Sequence, residues 1–391
     1  MCFNKIIYLV KSIALFVLFL GSPMVGFSQY EQVTIDKSDT VIDGKGGLFN
    51  DGKVTYLYIS SKKTSSGWIQ TKNVTIKNCT IKGGIRIMGM GKNGQAADVK
   101  ESSLSLGHTE RAQAAAPTNI TLSNVVIETL EGLTLLYIAP GTTYVTIENS
   151  EFKGENTGSG PIVYLDAESG HNVFRNNKFT AKSNREVIAC DGSAYNLFEG
   201  NTFETITKGG IYLYRNCGEG GAVRHQTPNH NTIRNNTFNL SSLVLGNYGI
   251  WLGSRNGNKS YCDDDAGYPF GSSIDDHDFA DDNVIYGNTF TGSSQTWYIK
   301  DNGANNQINT VSAITPATDN NNATITLINK NLVFENPMND AYVKIFDATG
   351  NTIFSKRTSD NQINLSSLSK GVCLVQLFDN EKITTKKIIL Q

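Results

Sequence analysis

The chain lacks an excess of either charge: 34 basic residues stand against 36 acidic ones, a formal net charge of -2. That balance leaves no basic surface for nucleic acid. Helical periodicity is missing too. No apolar stripe persists for three turns in the middle of the chain, and the β-prone runs are too short and regular for alternating strands and helices. A membrane span is absent after residue 28. The first 28 residues read as a secretory signal: Lys5 and Lys11 flank apolar segments, one run continues to Gly21, and a small-residue site spans Gly26 to Ser28. The mature chain is therefore expected to begin at Gln29. Cysteine is scarce. Cys2 leaves with the signal, and Cys79, Cys190, Cys217, Cys262 and Cys373 are odd in number, without CxxC-type metal spacing. Cys217 and Cys262 either pair in an oxidising compartment or stay single and buried.

What the chain has is a repeated phrase. Copies begin at Asn73, Asn119, Tyr144, His171, Tyr195, His230 and Asp282. Each carries a β-forming residue at plus three, Asn or Gly at plus five, and Ile or Phe at plus eight. The final residues Ile81, Ile127, Phe152, Phe179, Phe203, Phe238 and Phe290 are separated by 46, 25, 27, 24, 35 and 52 positions. Short β-prone runs repeating about every 25 residues predict a β-solenoid, the longer steps being one or two rungs plus insertions. Asn78, Asn124, Asn149, Asn176 and Asn235, with Gly200 and Gly287, suit left-handed corners. The phenylalanines would stack inside. An aligned second strand precedes the later copies (LTLLYIA, IVYLDAESG, VIACDGSA, IYLYRNCGEGG, IWLGSRNGN, WYIKDNGA). Asp166, Glu168, Asp191, Arg215, Arg255, Lys300 and Asp301 at its end should form a charged line on one face, with rungs about 4.8 Å apart.

Residues 29–310 are assigned to the solenoid, 30–70 being its cap and first rungs. The Gly/Ser/Ala/Gln-rich stretch 91–117 reads as a surface loop bordering a groove, and 311–332 as closing segment and linker. Residues 333–391 alternate like strands with hairpin turns, enough for a small β-sandwich of about 60 residues. Its L-x-x-L-x-K-G-V run at Leu365 to Val372 and lysine-bearing end, Lys386 to Gln391, resemble the C-terminal sorting domain of the type IX secretion system of Bacteroidetes. That resemblance implies contact with the secretion machinery, export across the outer membrane, and release or surface attachment.

Chemistry is expected where the repeat is interrupted. CGEGGAVRHQTPNH follows Tyr214, Arg215 and Asn216, and GNKSYCDDDAGYPFGSSIDDHDFA follows Ser254, Arg255 and Asn256. Loops on a rigid scaffold commonly carry function. These excursions and their roots supply Tyr212, Tyr214, Arg215, Glu219, Arg224, His225, Arg255, Lys259, Tyr261, Tyr268 and His277, while neighbouring rungs add Glu186, Asp191 and Lys208. Arginine forks hold carboxylate or sulfate, and tyrosine faces pack on sugar rings, so an anionic polysaccharide is the expected partner. Catalysis falls to Arg215, His225, Tyr214, Glu219, Asp191 and Lys208; Arg224, Arg255, Glu186, Tyr212, Tyr268 and His277 would bind substrate. Asp263, Asp264 and Asp265 form either a solvated turn or a calcium site. A monomer is expected.

The arrangement over residues 35–310 resembles the right-handed parallel β-helix polysaccharide lyases, which act on pectate, alginate and dermatan. β-Elimination from a uronide is the activity that resemblance implies, with Lys208 near the position of a lyase lysine and Asp191 on the preceding rung. Hydrolysis by paired carboxylates, Asp191 with Glu219 or either with Asp263 to Asp265, is the alternative. C5-epimerisation, which shares the proton abstraction of elimination, is a third option; the NTD, DD and GHG series of β-helix polygalacturonases is absent, as is the usual YG-x-D-P-H-D signature of C5-epimerases. A non-enzymatic adhesin would scatter these charges instead of gathering them in one cleft.

Overall fold

The computed structural model describes residues 30–129, 132, 134–257, 262–292, 298–309, 325–328, 330–334, 341–347, 351–358, 360, 362–379 and 382–390. The expected signal, Lys259 and Tyr261 lie outside them. The chain divides into two compact units, with the division between Ala313 and Ile314.

In the first unit each coil has three short parallel strands. Each phrase supplies two, bent apart at its plus-five residue. Val173–Arg175, Leu197–Glu199, Thr232–Arg234 and Val284–Tyr286 stack as one face. Lys178–Phe179, Thr202–Phe203, Thr237–Asn239 and Thr289–Thr291 stack as the next. The third face is the aligned second strand: Leu136–Ile138, Val163–Leu165, Ile188–Asp191, Ile211–Tyr214, Ile250–Leu252 and Ile299–Asp301. Ile81 pairs directly with Ile127, Phe203 with Phe238, and Phe238 with Phe290. Every long step is therefore one rung with an insertion, never two.

Both corners of the phrase are left-handed. Asn78, Asn124, Asn149, Asn176 and Asn235 have φ between 50° and 55°, with Gly200 and Gly287 at 66° and 65°. The phrase's first residue turns the other corner, at φ 57° for His171 and 58° for Tyr195. Inside, Phe152, Phe179, Phe203, Phe238 and Phe290 stack at centroid distances of 4.6–5.1 Å. This is the expected aromatic ladder.

A second ladder lies one residue beyond each corner. Asn172, Asn196, Asn231 and Asn283 are fully buried, as are Asn177, Asn201 and Asn236. Asn172 and Asn177 begin the ladders, accepting from Val145 N and Ser150 N; each later side-chain oxygen accepts both the backbone and the amide N–H of the asparagine one rung below. Asn201 Oδ1 takes Asn177 N at 2.9 Å and Nδ2 at 3.0 Å, while Asn201 Nδ2 donates to Phe174 O and Asn236 Oδ1. The chain thus turns without stranding a buried donor.

The stretch 91–117 is not an irregular loop. It folds as helices α1 (Ala97–Ser103) and α2 (His108–Ala115), which bury Val99, Ala112 and Ala115. Helices of two turns are too short to display a sustained stripe.

The second unit has antiparallel sheets. Ile325–Ile328 pairs with Asn331–Phe334, and that strand with Gln362–Asn364. Ala341–Phe346 lies between Thr352–Thr358 and Gly371–Asp379, the latter pairing with Lys382–Leu390. Leu332, Phe334, Val343, Ile345, Val375, Leu377 and Ile388 build its core. The unit starts before residue 333: Ile325–Ile328, in the expected linker, is one of its strands, and Lys386 Nζ donates to Ile325 O.

Asn201→Ala is expected to cost about 3 kcal/mol, because two Asn177 donors and the Phe174 carbonyl lose their partner at once. Asn176→Gly, at a corner where the next rung has Gly200, should change stability by less than about 0.5 kcal/mol. Denaturation midpoints of the two variants check this contrast.

Candidate functional site

Strand alternation turns Val163 and Leu165 inward and Tyr164 and Asp166 outward. Rung pairing then builds two outward columns on the third face. One runs Arg86, Tyr137, Tyr164, Ala189, Tyr212, Trp251, Lys300. The other aligns Asp191 with Tyr214, with Asp166 in the rung before. Insertions 89–117, 215–229 and 253–281 all leave the coil at the end of this face, and the described residues of the three pack together beside it.

Buried polar contacts join the three insertions. Glu168 accepts from Thr109 Oγ1 of α2 and, at 2.7 Å, from His225 N. His225 Nε2 donates to Ser103 O at 2.8 Å, and Ser103 Oγ accepts from Val223 N at 3.0 Å. Arg224 N donates to Ser272 Oγ at 2.9 Å. Cys217 and Cys262 form a disulfide with a Cα–Cα distance of 4.9 Å, which resolves their pairing; Cys79, Cys190 and Cys373 are free and buried.

Beside this layer the face opens into a cleft of about 220 Å³ lined by Arg86, Lys92, Thr134, Tyr137, Ser159, Gly160, Pro161, Tyr164, Arg185, Tyr214 and Arg255. Four cationic side chains and three tyrosines surround it. Lys92 Nζ lies 5.3 Å from the Tyr137 ring centroid and the Arg255 guanidinium 4.0 Å from that of Tyr214. Each tyrosine hydroxyl donates to a carboxylate: Tyr137 to Asp166, Tyr164 to Asp191 at 2.7 Å, and Tyr214 to Glu186 at 3.2 Å. Burial, reinforced by these carboxylates, raises all three phenols well above their ordinary range, so they remain proton donors. Lys92 is lowered, first by shielding of its ammonium from water and then by Arg86.

Behind the tyrosines sits a carboxylate cluster around Arg224. Burial pushes Asp166 up to about 6, with Asp191 adding to the rise and Arg224, Tyr137 and Asn93 opposing it. Burial alone would lower Arg224, but the charges of Asp191, Asp166 and Glu219 leave it raised. Burial and neighbouring His225, Arg111 and Arg224 drop the His108 imidazole to about 3, so it is neutral.

The sequence candidates separate on this map. Tyr214 and Arg255 line the cleft, and Glu186 lies behind it, holding Tyr214 and pairing with Arg185 at 3.3 Å. Asp191 is fully buried; its oxygens accept from Tyr164, Asn216 N and Asn216 Nδ2. Glu219 is exposed and faces Arg224 at 3.6 Å. Asp166 and Glu168, expected on the charged outer line, are buried. Arg215 is a correction. It sits one residue past Tyr214, out of the outward column, and its guanidinium donates to Asp275 and, at 2.7 Å, to the His277 carbonyl. His225 is another, since its ring is fastened to Ser103 between His108 and Phe270. Arg224 is 1% exposed and bonds to the Glu219 and Ala222 carbonyls, which removes it from direct substrate contact. Lys208 and Tyr212 lie outside the cleft lining, joined by a Tyr212 hydroxyl bond to the Lys208 carbonyl. Tyr268 packs on Phe270, and exposed His277 faces Asp275 and Asp276. Asp265 is buried against Ser272 while Asp263 and Asp264 are exposed, so the three do not converge. Among the described residues no group of three or more His, Cys, Asp or Glu is placed to hold a metal ion.

Sequence reasoning missed Arg86, Lys92, Tyr137, Tyr164 and Arg185. The signal for the tyrosines was present: LTLLYIA and IVYLDAESG, aligned, put Tyr137 and Tyr164 in one column.

Because Asp166 has a folded-state value above the ordinary 3.8, folding takes up a proton, and stability falls as pH rises from about 4 to 6. Thermal melts across that window should show the decline in the parent and a flatter profile in Asp166→Asn. Replacing Cys217 and Cys262 together by Ser should lower stability by as much as about 4 kcal/mol, the chain-entropy value for the 45-residue separation, measured by denaturation.

Comparison with curated protein sequences gives no match. Among solved structures, an alginate lyase from Paenibacillus sp. str. FPU-7 is 10% identical, with 70% of this chain and 92% of that chain covered at a TM-score of 0.33. The surface protein and adhesin PfbA of Streptococcus pneumoniae is 12% identical over 72% of this chain and 87% of its own, at 0.32. Tailspike protein 2 of Escherichia coli O157:H7 bacteriophage CAB120 is 11% identical over 92% and 59%, at 0.29. Residues 315–391 match the secretion system C-terminal sorting domain, the mark of type IX export to the cell surface or extracellular space. Residues 68–264 match the right handed beta helix region, half of the chain, and with the parallel coils above they make this protein a member of the right-handed β-helix family.

Proposed function

We propose that the protein is an extracellular polysaccharide lyase that cleaves an anionic, uronate-containing chain by β-elimination in the cleft between Lys92 and Arg255. The observation carrying this reading is the lining itself: four cations and three proton-donating tyrosines face one space, with the carboxylates held behind them. Elimination needs positive charge at the uronate carboxylate, a base at C5 and an acid at the leaving oxygen. Arg86, Arg185 and Arg255 supply the charge. Lys92, whose ammonium form is disfavoured by burial and then by Arg86, takes the C5 proton. The C5–H electrons form the C4–C5 double bond as the C4–O bond breaks, and Tyr164 gives its proton to the departing oxygen. Asn216 Nδ2, 3.3 Å from the Tyr164 hydroxyl, steadies the phenolate left behind. Solvent then restores both groups. Hydrolysis is less well supported, because Asp191 is buried with both oxygens occupied.

Incubation with alginate, pectate, dermatan, ulvan and carrageenan should yield the ultraviolet absorbance of an unsaturated uronide from at least one uronate polymer. New reducing ends without that absorbance would mean hydrolysis, and binding without product would mean an adhesin. On the cleaved polymer, Lys92→Ala and Tyr164→Phe should each lower kcat by about 10²- to 10⁴-fold. His277→Ala, exposed and outside the cleft, should leave turnover unchanged.

A further inference from the structure

The first outward column does not stop at the cleft. Three rungs beyond Tyr164 it reaches Trp251, and one rung later Lys300. Tyr212, Tyr248 and Trp251 form an aromatic patch: Tyr212 and Tyr248 meet the indole edge-on, at centroid distances of 5.4 and 5.0 Å. Lys300 Nζ lies 4.5 Å from the indole centroid and 5.5 Å from that of Tyr248. Trp251, Tyr248 and Lys300 are only partly buried, and exposed Lys208 belongs to the turn joined to Tyr212. The patch is continuous with the cleft, since Ala189, Tyr212 and Tyr214 form one packed cluster with Tyr164, Tyr248 and Trp251.

We propose that Trp251, Tyr248 and Lys300 form a distal subsite for the same anionic polysaccharide, receiving a sugar ring on the aromatic surface and its acidic group at Lys300. This rests on the reading of the cleft as the polysaccharide site. Three reasons favour a continuing glycan over another occupant. The pairing of cation and aromatic ring repeats along the face, as Lys92 with Tyr137, Arg255 with Tyr214 and Lys300 with Trp251. The patch shares the cleft's apolar floor. Its offset from Tyr164, three rungs or ~14 Å, is roughly the length of three pyranose units of an extended chain. The Oδ1 oxygen of neighbouring Asp301 is engaged by Gly303 N and Asn306 Nδ2. Among the described residues no hydrogen bond uses the indole Nε1–H, so none of them holds Trp251 as a hydrogen-bonding anchor of the fold. The subsite would make the enzyme favour long chains, with remote binding energy drawing the scissile bond into the cleft.

The test compares uronate oligosaccharides of about three and about seven residues, cut from the polymer cleaved in the screen, or from alginate should none be cleaved, as probes matched to the rung spacing. Trp251→Ala and Lys300→Glu should raise KM, or Kd where no turnover occurs, about tenfold for the longer probe and leave the shorter unchanged. Lys300→Glu alters charge without removing core volume, so it remains informative if Trp251→Ala melts early. Equal effects on both lengths, or none on either, overturn the subsite while leaving the cleft reading intact. Failure of the parent protein to bind either probe overturns the cleft reading, and the subsite falls with it.

Discussion

A chain wound into coils must turn sharply at every corner, and each turn swings backbone donors toward an interior without water. The buried asparagine ladders meet that demand. Asn196, Asn231 and Asn283 at one corner, and Asn201, Asn236 and Asn288 at the other, each offer one oxygen to two donors of the neighbouring rung. Each bond is worth only about 1 kcal/mol net, but leaving its donors unmet inside the coil costs more. The ladders also oppose slippage, because a shift of one residue would take the amides away from the donors they serve and turn every strand inside out. The register of the outward columns, and hence the line of tyrosines, follows from it.

On the outer face the same register creates an electrostatic problem and part of its solution. Asp166 and Asp191 occupy neighbouring rungs of one column, where stacked carboxylates repel. Arg224, brought in by the first excursion, sits among them, and the tyrosine hydroxyls cap their remaining oxygens. The negative charge is thus held behind a wall of phenols, while the cations face the cleft. The cleft therefore presents the positive side of the arrangement.

The scaffold was readable because its determinants are local. The plus-five corner is Asn or Gly in every copy, and stacked phenylalanines recur at one phrase position. The second ladder was overlooked because Asn176 and Asn177 stand side by side, and only the structure separates the exposed corner residue from the buried one. The site was less legible. Arg215 seemed to extend the charged line, yet one residue of offset sends it to Asp275 and His277. Lys92 comes from the insertion 89–117 and Arg185 from the short turn before Ile188–Asp191, neither with strand alternation, and their meeting depends on how those two segments fold. Arg86 is in a strand, but its neighbours Gly84 and Ile85 give no hint of a binding site. Excursion residues such as His225 carry catalytic chemistry in principle. Here they are spent on fastening one insertion to another.

All three insertions leave the coil at a single edge, after Met88, Tyr214 and Leu252, while the strands on either side keep their pairing. The entropy of closing a loop grows only logarithmically with its length, each doubling adding about 0.6 kcal/mol. Segments of very different size can therefore be exchanged at that edge at nearly constant cost to the coil. The architecture separates heritable variation in ligand choice from the requirements of folding, and it offers protein engineers a defined seam at which to graft new recognition loops.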